Sequence, residues 1–334
     1  MLGDGEARGY TRRGISGSST GVALALAVPV VITGLAAGAG YGLVAISYAI
    51  VFRLTGVVHF ALGELIGLAV FVALWLSVGT GPVTRSNVPI LRFIGALGAS
   101  LIAVSALGLV AYLFLIRGPA RRGSVLGWVA GTVALAFGIR GLIVAVFTRE
   151  SYVLPDPVPF AKLPNGGLLD LGSGVTLPVR VFFVIAVGIV LAWAADRFLT
   201  RSEPGLALQA TASSRTGARV VGLPVERLQA AAFAAAGALA GVAAVVQAPA
   251  APVTADTGAL LGLKGLVAAL IAGFGSPWRS LVAGLFVGVL ETTVGALHIG
   301  GFRLGAQYGD VVPLLVALVV VGVGALRRRG VEVE

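Results

Sequence analysis

The stretch GVALALAVPVVITGLAAGAGYGLVAISYAIVF, residues 21–52, runs for 32 residues without a charge. A spanning helix needs about 20 predominantly apolar residues, whereas the apolar core of a cleaved secretory signal has only about 7–15. Although Arg12 and Arg13 stand just ahead of it, the stretch reads as a retained membrane helix. Working outward, comparable runs lie at roughly 62–80, 93–116, 124–147, 178–199, 228–248, 257–275, 280–298 and 311–326. With the first they make nine candidates, the seventh and ninth being the weakest. Lipid offers the backbone no hydrogen-bond partner, so only helices or closed barrels cross it, and these runs are too long and continuous for barrel strands. The expected fold class is all-α, a polytopic membrane helix bundle of eight or nine transmembrane helices. It occupies residues 21–330, after a disordered tail at 1–20 rich in Gly, Ser and Arg.

Composition excludes the main alternatives. Apolar residues make up 57% of the chain and charged residues 11%, against about 25% charged in a soluble domain, so a water-facing globule would lack the polar surface to cover itself. The net charge of +10 does not indicate a nucleic-acid partner. Such proteins gather Lys and Arg on one face, whereas here the cations fall in short gaps between apolar runs, as they do when cytoplasmic loops orient membrane helices. With no cysteine, thiolate catalysis, disulfides and Cys-ligated metals are ruled out. Neither Lys162 nor Lys264 follows a glycine, so the phosphate-cradling Gly-Lys-Ser/Thr loop is missing. No cofactor is implied, and any ATP that powers this chain is bound by a partner.

If the 197–227 loop and the C-terminus are cytoplasmic, the inside segments hold thirteen arginines: Arg53, Arg117, Arg121, Arg122, Arg197, Arg201, Arg215, Arg219, Arg227, Arg279 and Arg327 to Arg329. The outside segments hold nine cations, among them Arg85, Arg92, Arg149, Lys162, Arg180 and Arg303. This bias places the N-terminus outside. Residues 149–177, carrying Pro155, Pro157, Pro159 and Pro164, cannot continue a helix and are expected to form an external loop. Small residues spaced four apart (Gly34, Gly38 and Gly42; Gly63 and Gly67; Gly237 and Gly241; Gly284 and Gly288) suit close helix packing in lipid.

The most informative segment is 200–227, Arg201-Ser202-Glu203-Pro204-Gly205-Leu206-Ala207-Leu208-Gln209-Ala210 running on to Gly222-Leu223-Pro224. Ser202 is placed to cap a helix whose first turn holds Glu203 and Pro204. Leu206 and Ala210 share a face, and Gly222 with Pro224 supplies a stop. A short amphipathic helix pair is expected, its small-residue face entering a partner's groove or, alternatively, lying on the membrane surface.

At this point the chain resembles a known family. Arg-Ser-x-x-Gly-x-Ala-x-x-Ala followed by Gly-Leu-Pro is similar to the ATPase-coupling loop of the LivH-type branched-chain amino acid permeases of ATP-binding cassette (ABC) importers, which have a type II importer-like fold. Val58-His59-Phe60-Ala61-Leu62-Gly63-Glu64 resembles the family's Asn-Phe-Ala-x-Gly-Glu segment. Gly262-Leu263-Lys264-Gly265 through Gly273-Phe274-Gly275-Ser276, Glu291, and Tyr308-Gly309-Asp310 fit the same template, over about residues 34–326. The chain departs from it at His59, where Asn is usual, at Leu62, where His is common, and at Ser213-Ser214, where an acid is usual. The first two bear on the solute, the third on the ATPase.

The resemblance implies a coupling site of Arg201, Glu203, Gly205, Leu206, Ala207, Ala210, Arg215 and Gly222. It also implies ABC ATPase subunits, a second LivM-like permease chain or a copy of this one, an extracytoplasmic solute-binding protein and an inner-membrane location. Solutes would be branched-chain amino acids or small relatives such as urea and short amides.

Ionisable residues inside apolar runs are costly, about 2.5–3.5 kcal/mol at the bilayer centre, and usually face a cavity or a partner. His59, Glu64, Lys264 and Glu291, with Phe60 beside them, form the candidate translocation pathway. Glu64 and Lys264 occupy corresponding, Gly-interrupted segments of the two halves, either as broken helices near the pathway or as helix-end residues reaching headgroups. Arg140 reads as structural. The competing class is a secondary transporter driven by an ion gradient, which needs a carboxylate cluster near the midplane, and only Glu64 and Glu291 are available. A purely structural scaffold would leave the 200–227 segment unexplained.

Overall fold

The computed structural model describes residues 19–79, 88–121, 124–148, 151–156, 158, 160, 163–170, 176–299, 302–303, 311, 314–316 and 318–319. The tail before Ser19, the Tyr308-Gly309-Asp310 motif, much of the 311–326 segment and Arg327 to Arg329 lie outside them. Ten helices are defined among the described residues: α1 Ser19–Thr55, α2 Leu62–Val78, α3 Ile90–Ala111, α4 Val125–Val146, α5 Arg180–Arg201, α6 Glu203–Ser213, α7 Arg215–Val220, α8 Val225–Gln247, α9 Thr257–Ile271 and α10 Pro277–Ala296. Helix α3 continues through a π-helical turn, Tyr112–Ile116, into Arg117–Arg121. Six of them (α1, α3, α4, α5, α8 and α10) are long and apolar enough to cross a membrane, and α2 and α9 are shorter apolar helices. Two antiparallel ribbons, Leu168–Asp170 with Thr176–Pro178 and His298–Ile299 with Phe302–Arg303, are minor additions to the helical class.

Helix α1 is the axis of the bundle, packed against α5, α8, α9 and α10. Its glycine stripe explains the closeness of the last pair. A Cβ on Gly38 would sit 2.6 Å from the Leu285 Cα, and one on Gly284 would sit 2.7 Å from the Gly38 carbonyl oxygen. The two backbones touch, supplying the van der Waals contact that apolar burial cannot supply between helices already in lipid. Side-chain amides and hydroxyls add polar links: Gln247 Nε2 donates to the Ala37 carbonyl (3.1 Å), and Thr292 Oγ1 to the Val30 carbonyl (3.1 Å).

A second glycine contact joins the two short helices. A Cβ on Gly63 would lie 3.2 Å from the Gly258 oxygen, and one on Gly67 3.2 Å from the Gly258 Cα. Helix α2 starts deep inside the bundle. Near its first turn, Glu64 meets Arg140, fifteen residues beyond the start of α4, or about 22 Å along that helix. Near that start, Trp128 packs with Val51 in the last turns of α1. After Thr55 the chain therefore turns back through non-helical Gly56–Ala61 before α2 begins. Helix α9 likewise follows non-helical residues 251–256, where Val253 forms a backbone bridge with Tyr152.

Candidate functional site

The connection between α5 and α8 is built by local signals. Ser202 Oγ accepts from the Gly205 N–H at 3.1 Å and Pro204 occupies the first turn of α6. Ser214 does the same for α7, accepting from the Gly217 N–H at 3.0 Å. Gly222 ends α7 with φ +81°, a conformation that costs a residue with a Cβ. One face of α6 is fastened to the bundle. Leu208 clusters with Leu54, Leu199 and Ala232, and Gln209 Nε2 donates to the Leu199 carbonyl at 2.6 Å. The expected coupling residues separate accordingly. Gly205 is buried, and a Cβ there would come 2.7 Å from the Leu199 Cα; Ala207 is half-buried. Arg201, Glu203, Leu206, Ala210, Arg215 and Gly222 are exposed, as are Val220 and Val221.

From this connection, α8 leads into the bundle. On its second turn, Gln229 is buried and bridges two other helices: its Nε2 donates to the Leu54 carbonyl at 3.0 Å, and its Oε1 accepts from Tyr112 Oη at 2.9 Å. Leu54 O lies in the last turn of α1, where carbonyls lack intrahelical partners. One turn further along α8, the Phe233 ring meets His59 edge-on at 5.0 Å. His59 is buried in the α1–α2 connection, with no hydrogen-bond partner for either ring nitrogen. Its neighbour Phe60 is 45% exposed. Sequence reasoning missed Gln229 and Tyr112. The available signal was an amide on the helix face shared by Phe233, Ala236 and Ala240.

The two corresponding charges, Glu64 and Lys264, are not brought together, although their helices touch at Gly63 and Gly262. Glu64 lies 3.9 Å from Arg140, which also pairs with Asp256 at the start of α9. Lys264 Nζ donates to Glu291 at 2.8 Å and lies over the Tyr41 ring, 5.5 Å from its centroid. Arg180 pairs with Asp156 and donates to the Val246 carbonyl, joining the 151–156 segment to the end of α8. Lys264→Met strands the Glu291 carboxylate and is expected to cost roughly 2 kcal/mol, below the range for a fully buried pair. Thermal unfolding in detergent measures it, with Lys264→Met/Glu291→Gln recovering most of the loss. A double variant as unstable as the single one would refute that account.

A close-packed bundle of long apolar helices, with ion pairs held among them and a capped helix pair at one end, is the architecture of a multi-pass membrane protein. The chain belongs to the family described as branched-chain amino acid transport system / permease component, which matches residues 30–321. It is 27% identical over 307 residues to the high-affinity branched-chain amino acid transport system permease protein BraD of Pseudomonas aeruginosa, covering 90% of this chain and 96% of that protein. It is 26% identical over 308 residues to LivH of Salmonella typhimurium, covering 90% and 95%. A probable LivH of Methanocaldococcus jannaschii is 25% identical over 293 residues, covering 87% and 88%. No solved structure matches the chain significantly. The chain is thus an ABC importer permease component, a multi-pass inner-membrane protein.

Proposed function

We propose that this chain forms half of the membrane pathway of an importer for branched-chain amino acids or related small solutes (urea and short amides among them). One ATPase subunit binds its α6–α7 connection on the cytoplasmic side and a second binds the corresponding loop of the other permease chain, with the C-terminus cytoplasmic and the N-terminus external. A second permease chain, LivM-like or a copy of this one, completes the pathway, and an extracytoplasmic binding protein delivers the solute. ATP hydrolysis takes place in the partner subunits, and this chain performs no covalent chemistry.

The observation that carries this reading is the unbroken line of contact from the exposed face of α6 to the interior. Leu206 and Ala210 face outward while Leu208 of the same helix is seated against Leu54 and Leu199. Gln229 holds the end of α1, and Phe233 touches His59 in the α1–α2 connection. A push on α6 and α7 reaches the segment leading to Glu64 through these packed side chains. The inner ends of α2 and α9 meet at glycines, and Lys264, Glu64 and Glu291 line this level, where broken helices commonly build solute sites. An ion-gradient mechanism would need a carboxylate cluster near the midplane, whereas Glu64 and Glu291 sit in separate ion pairs.

Copurification with the cognate ATPase tests the reading. Because Gly205 packs inward, the informative variants are Leu206→Glu and Ala210→Glu, each expected to weaken ATPase retention at least tenfold while leaving the permease folded. An ATPase that still binds the double variant would count against the assigned surface. Uptake that persists without any ATPase and collapses with the proton gradient would restore the secondary-transport reading.

A further inference from the structure

An apolar groove with cations at one end only has the polarity profile of a phospholipid, and one such groove runs between α3 and α8. Leu109 and Leu113 form one wall, and Ala230, Ala231 and Ala234 form the other, enclosing about 540 Å³. Small side chains on α8 leave this space open. Between these walls the Tyr112 hydroxyl is turned inward to Gln229. Charges appear at the end next to the α6–α7 connection, where Arg117 pairs with Glu226 at 2.6 Å and Arg227 is exposed without an ion-pair partner among the described residues. These three groups sum to one positive charge. From Leu109 to Arg117 the helix rises about 12 Å, enough to lay the upper part of an acyl chain along the wall with its headgroup at the arginines.

We propose that this groove is a binding site for one anionic phospholipid, its acyl chain against the alanines and its phosphate held by Arg227 and Arg117. Basic pockets between transmembrane helices at the membrane surface recognise acidic headgroups by this chemistry, and the guanidinium fork suits phosphate oxygens. A soluble anion would gain nothing from the apolar walls, and a partner protein docked by apolar contact would gain little from cations confined to one end. The assignment rests on the cytoplasmic placement of the α6–α7 end only for naming the leaflet.

Native mass spectrometry of the purified permease, titrated in detergent with dioleoyl phosphatidylglycerol or dioleoyl phosphatidylcholine, tests the site. One phosphatidylglycerol should be retained where phosphatidylcholine is lost. Arg227→Gln, at an exposed position, should weaken that retention roughly fivefold. Ala231→Leu, which fills the groove, should abolish phosphatidylglycerol retention while the melting temperature holds. Equal retention of the two lipids by the unaltered chain overturns the proposal, as does unchanged phosphatidylglycerol affinity in both variants. Loss of the lipid when a second permease chain assembles would assign the groove to that chain instead. Failure of the coupling reading would appear in ATPase copurification with lipid retention intact, so the two outcomes are separable.

Discussion

Gly284→Leu is expected to leave little folded permease in the membrane. A Cβ at this position falls against the backbone of Gly42 and Gly38 on α1, including the Gly38 carbonyl oxygen at 2.7 Å. Those atoms belong to the central helix, which is itself wedged against α5, α8 and α9, so α1 cannot retreat without opening the other contacts. Overpacking typically costs 1–3 kcal/mol where side chains can shift. Here backbone meets backbone, and a loss of about 3 kcal/mol or more is expected, a large share of the stability of most domains. Melting temperature and the monodisperse fraction in detergent measure it. Gly95→Leu is the matched control, since nothing lies within 4 Å of a Cβ there. A Gly284→Leu protein that melts like the unaltered chain would refute the glycine contact as the basis of bundle assembly.

Gln229→Leu is expected to separate ATP hydrolysis from transport. The substitution keeps side-chain volume but removes the donor to the Leu54 carbonyl and the acceptor for Tyr112. A buried polar group left without its partner costs about 1–3 kcal/mol, enough to let the end of α1 and the following connection part from α8. In reconstituted vesicles with the ATPase and binding protein present, solute moved per ATP hydrolysed should fall about tenfold or more. ATPase retention should be unchanged, because Gln229 lies inside the bundle. Tyr112→Phe, which removes one bond and leaves the Leu54 contact, should show a smaller drop. If uptake and hydrolysis fall in proportion, Gln229 serves stability alone and the proposed line of transmission is wrong.

How legible each feature was in the sequence follows from the range of the interaction behind it. The Ser202 cap, the first-turn Pro204 and the stop at Gly222 depend on atoms within a few residues, and all three could be read directly. The glycine stripe on α1 was visible because its period is that of a helix. Gly284 and Gly288, some 250 residues away, stood out by the same spacing, but that they pack on this stripe did not. The run expected at 257–275 is helical only to Ile271, because Gly273 and Phe274 take positive φ and turn the chain toward α10. Apolar composition extends through that turn, so hydropathy could not place the boundary. Gln229 escaped notice because an amide in an alanine-rich helix gains meaning only from the carbonyl it meets, 175 residues earlier in the chain.

Lipid-spanning character, the helical class, the capped connection and family membership were determined by the sequence alone, since each rests on composition, on local hydrogen bonding or on ordered motifs. Tertiary structure decided the rest. It set Glu64 against Arg140 and Lys264 against Glu291, turned Gly205 inward and Ala210 outward, and started α2 within the bundle. In lipid, apolar surface by itself does not choose which helix faces which. Backbone contact at glycines and the pairing of scarce charges make that choice, and both require two segments to be in place before either has a partner.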